Sequence, residues 1–243
     1  MRMNTHSHVC SKADFGRLNE EIVRCRRCAR LVSWRRRIAK EKVARYKAWR
    51  YWGKGVPGFG DPDAQLLIVG LAPAAHGGNR TGRMFTGDRS GDWLYRALHK
   101  FGFANQQSSV SRDDGLRLLD CYITAVARCV PPANKLLRKE IENCRQYLIE
   151  ELRLLRDLRV IIALGKVAFE AVIECLRSIN VEAEQIHPVF AHGKCYRMSN
   201  GLILMVSFHP SQQNTFTGKL TEKMFHSVFR RAKVILNEKN IKQ

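Results

Sequence analysis

The segment from Gly70 to Asp88, GLAPAAHGGNRTGRMFTGD, concentrates the residues with the most chemical potential in this sequence. Its glycines allow a backbone to approach a ligand closely and to adopt positive φ angles. Their spacing matches neither GxGxxG nor GxxxxGK[ST], so it does not support nucleotide binding through those motifs. Because a loop of this length without secondary structure is usually functional, we predict that the segment forms part of a ligand site.

Two residues near the end of this segment could act on a ligand directly. The ring of Phe85 can stack on a planar group, although the position also suits a core aromatic. The carboxylate of Asp88 can position water and offset positive charge on a sugar, as in glycoside hydrolysis. The alternatives for Asp88 are a helix N-cap or a salt bridge to Arg83 or Arg89.

Two further polar residues lie in later loops. Asn134 offers a donor and an acceptor on one planar amide, which suits an imide edge, and its alternative is a turn residue after Pro131-Pro132. His209, before Pro210, can donate to an oxygen that gains charge during bond cleavage. The alternative for His209 is a hydrogen-bonded buried histidine.

Four of the eight cysteines have a spacing compatible with a metal centre. Cys25 and Cys28 form a CxxC, whereas Cys129 and Cys144 lie far downstream. Four thiolates complete either tetrahedral zinc or a [4Fe–4S] cluster, and the spacing alone does not choose between them. The remaining cysteines are interpreted as a tail thiol and as core or strand residues: Cys10, Cys121, Cys175 and Cys195.

The charge balance indicates a polyanionic partner. Lys and Arg number 42 against 22 Asp and Glu, which gives a formal charge of +20. Nucleic acid is the commonest partner of such a surface, and a basic helix on a membrane is the rival interpretation. No apolar run is long enough to span a bilayer, and residues 1–10 lack a signal-peptide core. We therefore expect an intracellular, cytoplasmic protein without a membrane partner.

Apolar runs and turn residues outline an alternation of strands and helices. Strands are predicted at Gln65–Val69, Cys121–Val126, Val160–Leu164 and Leu202–Ser207, the last after a hairpin-like turn at Asn200-Gly201. A basic helical pattern covers Phe15–Trp52, and further helices separate the strands. This alternation favours an α/β fold with a parallel sheet covered on both faces. Residues 1–12 are predicted to be a disordered tail and residues 13–243 a single domain.

Three loops are expected at the carboxyl ends of the strands, where parallel sheets bind ligands. They are Gly70–Asp88, Ala127–Asn134 and Phe208–Leu220. The first of these, together with AVARCVPPANK at Ala125–Lys135 and HPSQQNTFTGKLT at His209–Thr221, resembles the uracil-DNA glycosylase superfamily, specifically its type 5 branch. ALGKVAFEA at Ala163–Ala171 adds to the resemblance, which covers most of the chain from Cys25 to the last helix.

The resemblance implies a three-layer α/β/α fold with a central four-stranded parallel sheet. It also implies that a monomer flips a base out of double-stranded DNA and hydrolyses its N-glycosidic bond, in association with the nucleoid. It gives catalytic roles to Asp88, Asn134 and His209. Residues placed against the base are Ala72, Pro73, Ala74, His76 and Phe85. Residues placed on DNA are Arg80, Arg83, Ser211, Asn214 and Lys219. The implied [4Fe–4S] ligands, with zinc as the alternative, are Cys25, Cys28, Cys129 and Cys144.

The sequence departs from typical type 5 members at a few positions. They have Pro where this chain has Met84, and Pro-Arg where it has Gln212-Gln213. Relatives in this branch act on uracil, hydroxymethyluracil, ethenocytosine and deaminated purines such as hypoxanthine and xanthine. The small side chains of Ala72, Ala74 and Ala75 suit a roomy pocket, which would fit such a range.

Two other classes of protein compete with this interpretation. A non-catalytic nucleic-acid binder held together by a metal centre explains the charge, the aromatics and the cysteines. It does not explain why three loops converge on one sheet edge. A radical or redox iron–sulfur enzyme is disfavoured because the CxxxCxxC spacing common in radical chemistry is absent.

Overall fold

The computed structural model describes residues 6–185 and 187–238, with side chains from Lys12 onward. The strands are β1 (Phe59–Gly60), β2 (Leu66–Gly70), β3 (Cys121–Ala125), β4 (Val160–Leu164), β5 (Cys195–Arg197) and β6 (Ile203–Ser207). The helices are α1 (His6–Arg24), α2 (Ala29–Glu41), α3 (Gly78–Thr81), α4 (Arg89–Lys100), α5 (Arg138–Leu154), α6 (Lys166–Ser178), α7 (Gln212–Phe216) and α8 (Glu222–Glu238). Short 3₁₀ turns lie at Ala44–Tyr46 and Pro132–Asn134.

A mixed six-stranded sheet runs in the order β1-β3-β2-β4-β6-β5. Its four central strands are parallel, which confirms the α/β fold and its parallel core. The edge strands β1 and β5 are antiparallel to their neighbours, so the expected wholly parallel four-stranded sheet is corrected to a mixed one. These edges have two and three residues, too few for a periodic pattern to reveal them.

The central strands form because each is a continuous apolar run that can be covered on both faces. Every residue of β2, β3 and β4 is buried. Helices α4 and α8 pack on one face of the sheet, through Leu94, Leu98, Phe225 and Phe229 among others. Helices α5 and α6 cover the other face through residues such as Leu148, Leu152, Phe169 and Val172. The result is the expected three-layer arrangement, with all four carboxyl ends of the parallel strands at one edge.

The basic N-terminal pattern is not one helix. It breaks at residues 25–28 between α1 and α2, and residues 47–58 contain no helix or strand. Helix α1 begins at His6, within the expected disordered tail, of which residues 1–5 lie outside the described part of the chain. The division into a tail and one domain stays a prediction. Within the described residues, no helix has the length and apolar character required to cross a bilayer.

Candidate active site

A cavity of about 610 Å³ opens at the carboxyl edge of the sheet. Segments following each of the four parallel strands line it, which is where ligands bind in open α/β sheets. Its volume falls in the range of small-molecule sites. The three predicted loops therefore meet at one cavity, and a fourth segment, after β4, joins them.

Phe85 is held on this cavity by a strained backbone and two glycines. Its φ is 53°, a left-handed conformation that is rare for an aromatic residue. A Cβ at Gly70 would lie 2.6 Å from the Phe85 ring, and a Cβ at Gly91 would lie 1.7 Å from the Phe85 carbonyl oxygen. Only glycine at both positions lets the ring lie over the end of β2. Strain of this kind clusters at functional sites.

Asp88 lines the same cavity and caps helix α4. Its side chain accepts a hydrogen bond of 2.9 Å from the Gly91 N–H, so the N-cap alternative describes its local role. A Cβ at Gly77 would lie 2.2 Å from the Asp88 Oδ2. The carboxylate therefore fits in this position only because residue 77 is a glycine. Burial raises the pKa of Asp88 above its ordinary value, although the hydrogen bond from Gly91 opposes the shift. The carboxyl group is therefore more basic than an exposed aspartate.

His209 stands beside Phe85, with ring centroids 6.0 Å apart and planes at 28°. Burial lowers the pKa of His209 to about 4, so the imidazole is neutral at physiological pH. A neutral imidazole can donate one hydrogen bond without carrying a charge. The backbone carbonyl of His209 accepts hydrogen bonds from the Ser211 N–H and the Asn214 amide, both at 2.8 Å.

Asn134 ends a tight turn in the segment after β3, which lines the same cavity. Ala133 and Asn134 both have positive φ, 50° and 56°. The turn closes with a 3.3 Å bond from the Asn134 N–H to the Pro131 carbonyl oxygen. The side chain is exposed and lines the cavity, so its amide can meet the edge of a planar ligand. The turn-residue alternative therefore describes the backbone of Asn134, and the role of its amide on a ligand stays a prediction.

The residues expected against the base separate into two groups. Ala72, Ala74 and Phe85 line the cavity. Pro73 and His76 do not belong to its lining. Pro73 packs beside Gly78, and the Nδ1 of His76 lies 3.0 Å from the hydroxyl of Tyr51. Both residues support the loop, and their contact with the base stays a prediction.

Arg80 and Arg83 do not present their charges to solvent, being 3% and 6% exposed. Arg83 forms a bidentate pair with Asp114 at 2.7 and 2.8 Å. Arg80 donates through Nε to the His76 carbonyl oxygen at 2.6 Å. Both arginines hold the loop in shape, and their direct contact with DNA stays a prediction. Sequence alone could not reveal this because the partners of Arg83 lie on a distant segment.

The three residues of the last loop also differ in role. Ser211 lines the cavity and caps α7, accepting from the Asn214 N–H at 3.3 Å. The side-chain amide of Asn214 supports the His209 backbone, and its contact with DNA stays a prediction. Lys219 is exposed, with its Nζ 5.1 Å from the Phe208 ring centroid, and its contact with DNA stays a prediction.

The segment after β4 lines the cavity and was absent from the sequence-derived site. It comprises Leu164, Gly165, Lys166, Val167 and Ala168. Gly165 has φ of 100° and caps the thirteen-residue helix α6. A glycine between an apolar strand and a helix was the signal available in the sequence, because such a turn at a strand's carboxyl end faces the ligand crevice.

The four candidate metal-binding cysteines converge beneath this site from three separate segments. Cys25 and Cys28 lie between α1 and α2, Cys129 follows β3, and Cys144 lies on α5. Cys129 and Cys144 are each 5% exposed. Burial raises the pKa of the Cys129 thiol to about 12, and the neighbouring Cys144 and Cys25 thiols act in the same direction, against the Arg35 guanidinium. The thiols therefore lie near enough to interact electrostatically.

Two polar groups point at these sulfurs. The Arg35 guanidinium donates to the Cys129 Sγ at 2.7 Å, and the Asn143 amide donates to the Cys28 Sγ at 3.4 Å. Hydrogen bonds to sulfur are typical of thiolates that ligate iron–sulfur clusters. In the described part of the chain, no group of three or more His, Cys, Asp or Glu side chains is already arranged to hold a metal ion. Two buried and two partly buried thiols with such donors fit a cluster in their chemistry.

Comparison with known proteins gives matches over most of this chain. The family model described as "Uracil DNA glycosylase superfamily" matches residues 57–233. The chain is 48% identical to a "Type-5 uracil-DNA glycosylase" of Mycobacterium leprae, over 89% of this chain and 93% of that protein. It is 45% identical to the protein of the same name from Thermus thermophilus, over 88% and 94%. A "Type-4 uracil-DNA glycosylase" of Pyrobaculum aerophilum is 34% identical over 67% and 74%.

Proposed function

The chain belongs to the uracil-DNA glycosylase superfamily, and on that premise we propose that it hydrolyses the N-glycosidic bond of uracil in DNA for base-excision repair. The observation that carries this proposal is the convergence of Phe85, Asp88, Asn134 and His209 on one cavity. These side chains supply a stacking ring, a buried carboxylate, an amide and a neutral imidazole. Acting on chromosomal DNA, the enzyme would work inside the cell, in association with the nucleoid.

Recognition begins with extrusion of the uracil nucleotide, because the glycosidic bond is not accessible in a stacked duplex. We propose that a monomer binds double-stranded DNA and receives the flipped base in the cavity. The Phe85 ring stacks on the uracil, and the Asn134 amide pairs with its imide edge. Ala72 and Ala74 form a wall of small side chains next to Leu71.

The carboxylate of Asp88 acts on the attacking water and on the sugar. As the bond between uracil N1 and the sugar C1′ breaks, its electron pair leaves with the base, and positive charge develops on the sugar. The carboxylate of Asp88 stabilises that charge and orients a water molecule. The water oxygen then bonds to C1′, and its proton passes to the carboxylate. The products are an abasic site and a uracil anion, which is later protonated by solvent.

His209 stabilises the departing base. Negative charge on the uracil spreads to its ring oxygens as the bond breaks. An N–H donor aimed at such an oxygen favours the transition state over the ground state, because the charge is largest there. Because the pKa of His209 is lowered to about 4, the imidazole donates as a neutral group across the physiological pH range.

We propose a [4Fe–4S] cluster held by Cys25, Cys28, Cys129 and Cys144. When bound, the cluster would link the α1–α2 connection to the loop after β3 as a structural element. Cys129 lies five residues before Asn134, so this link would also brace the Asn134 turn. Purified protein should show visible absorption with stoichiometric iron and sulfide. Colourless protein with stoichiometric zinc would contradict the cluster and favour the alternative metal.

The test of the catalytic proposal is base release from defined duplexes. Purified protein is incubated with a uracil-containing duplex, and abasic sites are detected by alkaline cleavage. We expect cleavage at uracil only in the presence of active protein. A shift in DNA mobility without base release would contradict the proposal and favour a non-catalytic binder.

Extending the same assay to other bases tests the breadth of the cavity. We propose that hypoxanthine, xanthine, ethenocytosine and hydroxymethyluracil are also released, because small side chains line the wall at Ala72 and Ala74. Release of uracil alone would refute this broader specificity and leave the uracil activity intact.

A further inference from the structure

A surface segment beside the active site carries unusual charge. The segment from Lys42 to Lys54, which we call the basic platform, contains five cationic residues and no acidic one. Its cations are Lys42, Arg45, Lys47, Arg50 and Lys54. Residues 43–50 are exposed except for the partly buried Tyr46. The platform therefore presents a concentrated positive charge to solvent.

Two aromatic rings anchor the platform on Arg80. The Arg80 guanidinium carbon lies 3.9 Å from the Tyr46 ring centroid and 4.2 Å from the Trp49 ring centroid. The two rings meet edge to face at 6.0 Å. The Arg80 Nη1 is buried without a hydrogen-bond partner among the described residues. Cation–π contacts of this kind hold a guanidinium where hydrogen bonds do not reach it.

Arg80 in turn joins the platform to the loop that carries Asp88. Its Nε donates to the His76 carbonyl oxygen at 2.6 Å, and its Nη2 lies 3.4 Å from the carbonyl oxygen of Gly87, the residue before Asp88. Two backbone bonds, from the Trp52 N–H to the Arg80 carbonyl and from the Gly53 N–H to the Asn79 carbonyl, strengthen the link. The platform is therefore attached to the loop that carries Asp88.

We infer that the basic platform is a DNA-docking surface that contacts the phosphates flanking the flipped uracil. The inference rests on the proposed function, because it places uracil in the cavity beside Asp88. Cations next to an exposed aromatic residue also suit an anionic lipid surface. The platform's attachment to the Asp88 loop favours DNA, because it joins these cations to the loop that carries the candidate catalytic carboxylate.

The test compares two double variants that remove the same charge. Lys47→Gln with Arg50→Gln removes two exposed cations of the platform. Arg153→Gln with Arg156→Gln removes two exposed cations, one in the last turn of α5 and one just after it, at the amino edge of the sheet. Binding to a uracil duplex with a non-hydrolysable glycosidic bond is measured over a range of salt concentrations. Each phosphate contact contributes about 0.9 to the slope of log Kd against log salt.

We expect the platform variant to lower that slope by about 2, so that between ~50 and ~200 mM salt it loses about tenfold less affinity than the unmodified protein. The control variant should keep the original slope. Single-turnover uracil release at saturating DNA should be unchanged in both. An unchanged slope in the platform variant, or an equal change in the control, would overturn the inference.

Two further outcomes separate this inference from the proposed function. If the unmodified protein releases no uracil yet the platform variant alone lowers the salt slope, the glycosylase assignment fails and the docking surface stands. If the platform variant loses affinity for anionic lipid vesicles and keeps its DNA slope, the platform is a membrane surface and the inference fails.

Discussion

The carboxylates of Asp88 and Asp114 are both shielded from water. Their surroundings nevertheless move their pKa values in opposite directions. Asp114 meets the Arg83 guanidinium at 2.7 Å and accepts backbone N–H bonds from Val110, Ser111 and Leu116. Burial alone would raise the pKa of Asp114, but these donors outweigh it and the pKa is lowered. Asp88 accepts a hydrogen bond from the Gly91 N–H, but the effect of burial is larger, so the pKa of Asp88 is raised.

The difference separates an aspartate that holds the fold from one suited to chemistry. A fully paired carboxylate has its lone pairs occupied and cannot accept a proton from water at neutral pH. A desolvated carboxylate without an ion pair is held in a more basic, less stable state, a pattern characteristic of catalytic groups. Within the described residues, no lysine or arginine forms a salt bridge with Asp88. Arg83 thus pairs with the structural aspartate, Asp114, which lies on a separate segment, and Asp88 is left without an ion pair.

The strongest test of this contrast is Asp88→Asn. Asparagine remains a good N-cap, so helix α4 keeps its acceptor. Because the amide can neither take a proton nor offset positive charge, single-turnover uracil release should fall by about 10²–10⁴-fold. Affinity for uracil-containing duplex should be retained. Release at the original rate would remove Asp88 from the mechanism.

Asp114→Ala is expected to have the opposite consequence. Breaking a buried ion pair by removing one partner leaves the other charge uncompensated, at a cost of about 3–5 kcal/mol. The free energy of unfolding, from denaturant titration, should fall by that amount, whereas Asp88→Asn should not destabilise the protein. If both variants unfold with equal ease, the distinction between the two carboxylates is wrong.

Phe85→Leu tests whether the aromatic ring of Phe85, in the same loop as Asp88, stacks on the base. Loss of base stacking should cost about 1–3 kcal/mol of binding free energy, so the apparent affinity for a uracil duplex should fall by roughly 5- to 150-fold. Phe101→Leu, at the far end of α4, is the matched control and should leave affinity unchanged. Equal effects of the two changes would mean that Phe85 is a core aromatic and not a stacking surface.

Local patterns predicted much of this molecule. The four parallel strands are continuous apolar runs, and the residues after them had to gather at one edge, which brought Phe85, Asp88, Asn134 and His209 into the predicted site. Edge strands as short as β1 depend on pairing with β3 and leave no periodic trace. The ion pair between Arg83 and Asp114 could not be predicted from the sequence, because Asp114 lies 31 residues away and the pairing exists only in the folded chain.

The pH dependence offers the finest test of the two aspartates. Because Asp88 must be ionised to act and its pKa is raised, uracil release should decline about tenfold per pH unit below a midpoint above the ordinary aspartate value.

Stability should follow the opposite signs of the two shifts. Ionisation of Asp88 costs the folded state stability at neutral pH, and that cost vanishes as pH falls below the pKa of the unfolded chain. Asp88→Asn should therefore be the more stable protein at neutral pH, and its advantage should disappear in acid. The Asp114 contribution is present above the pKa of the unfolded chain and is lost as pH falls through the lowered folded-state pKa. Denaturant titrations of both variants across this range measure the two signs directly, and curves that shift in parallel would show that the aspartates share one environment.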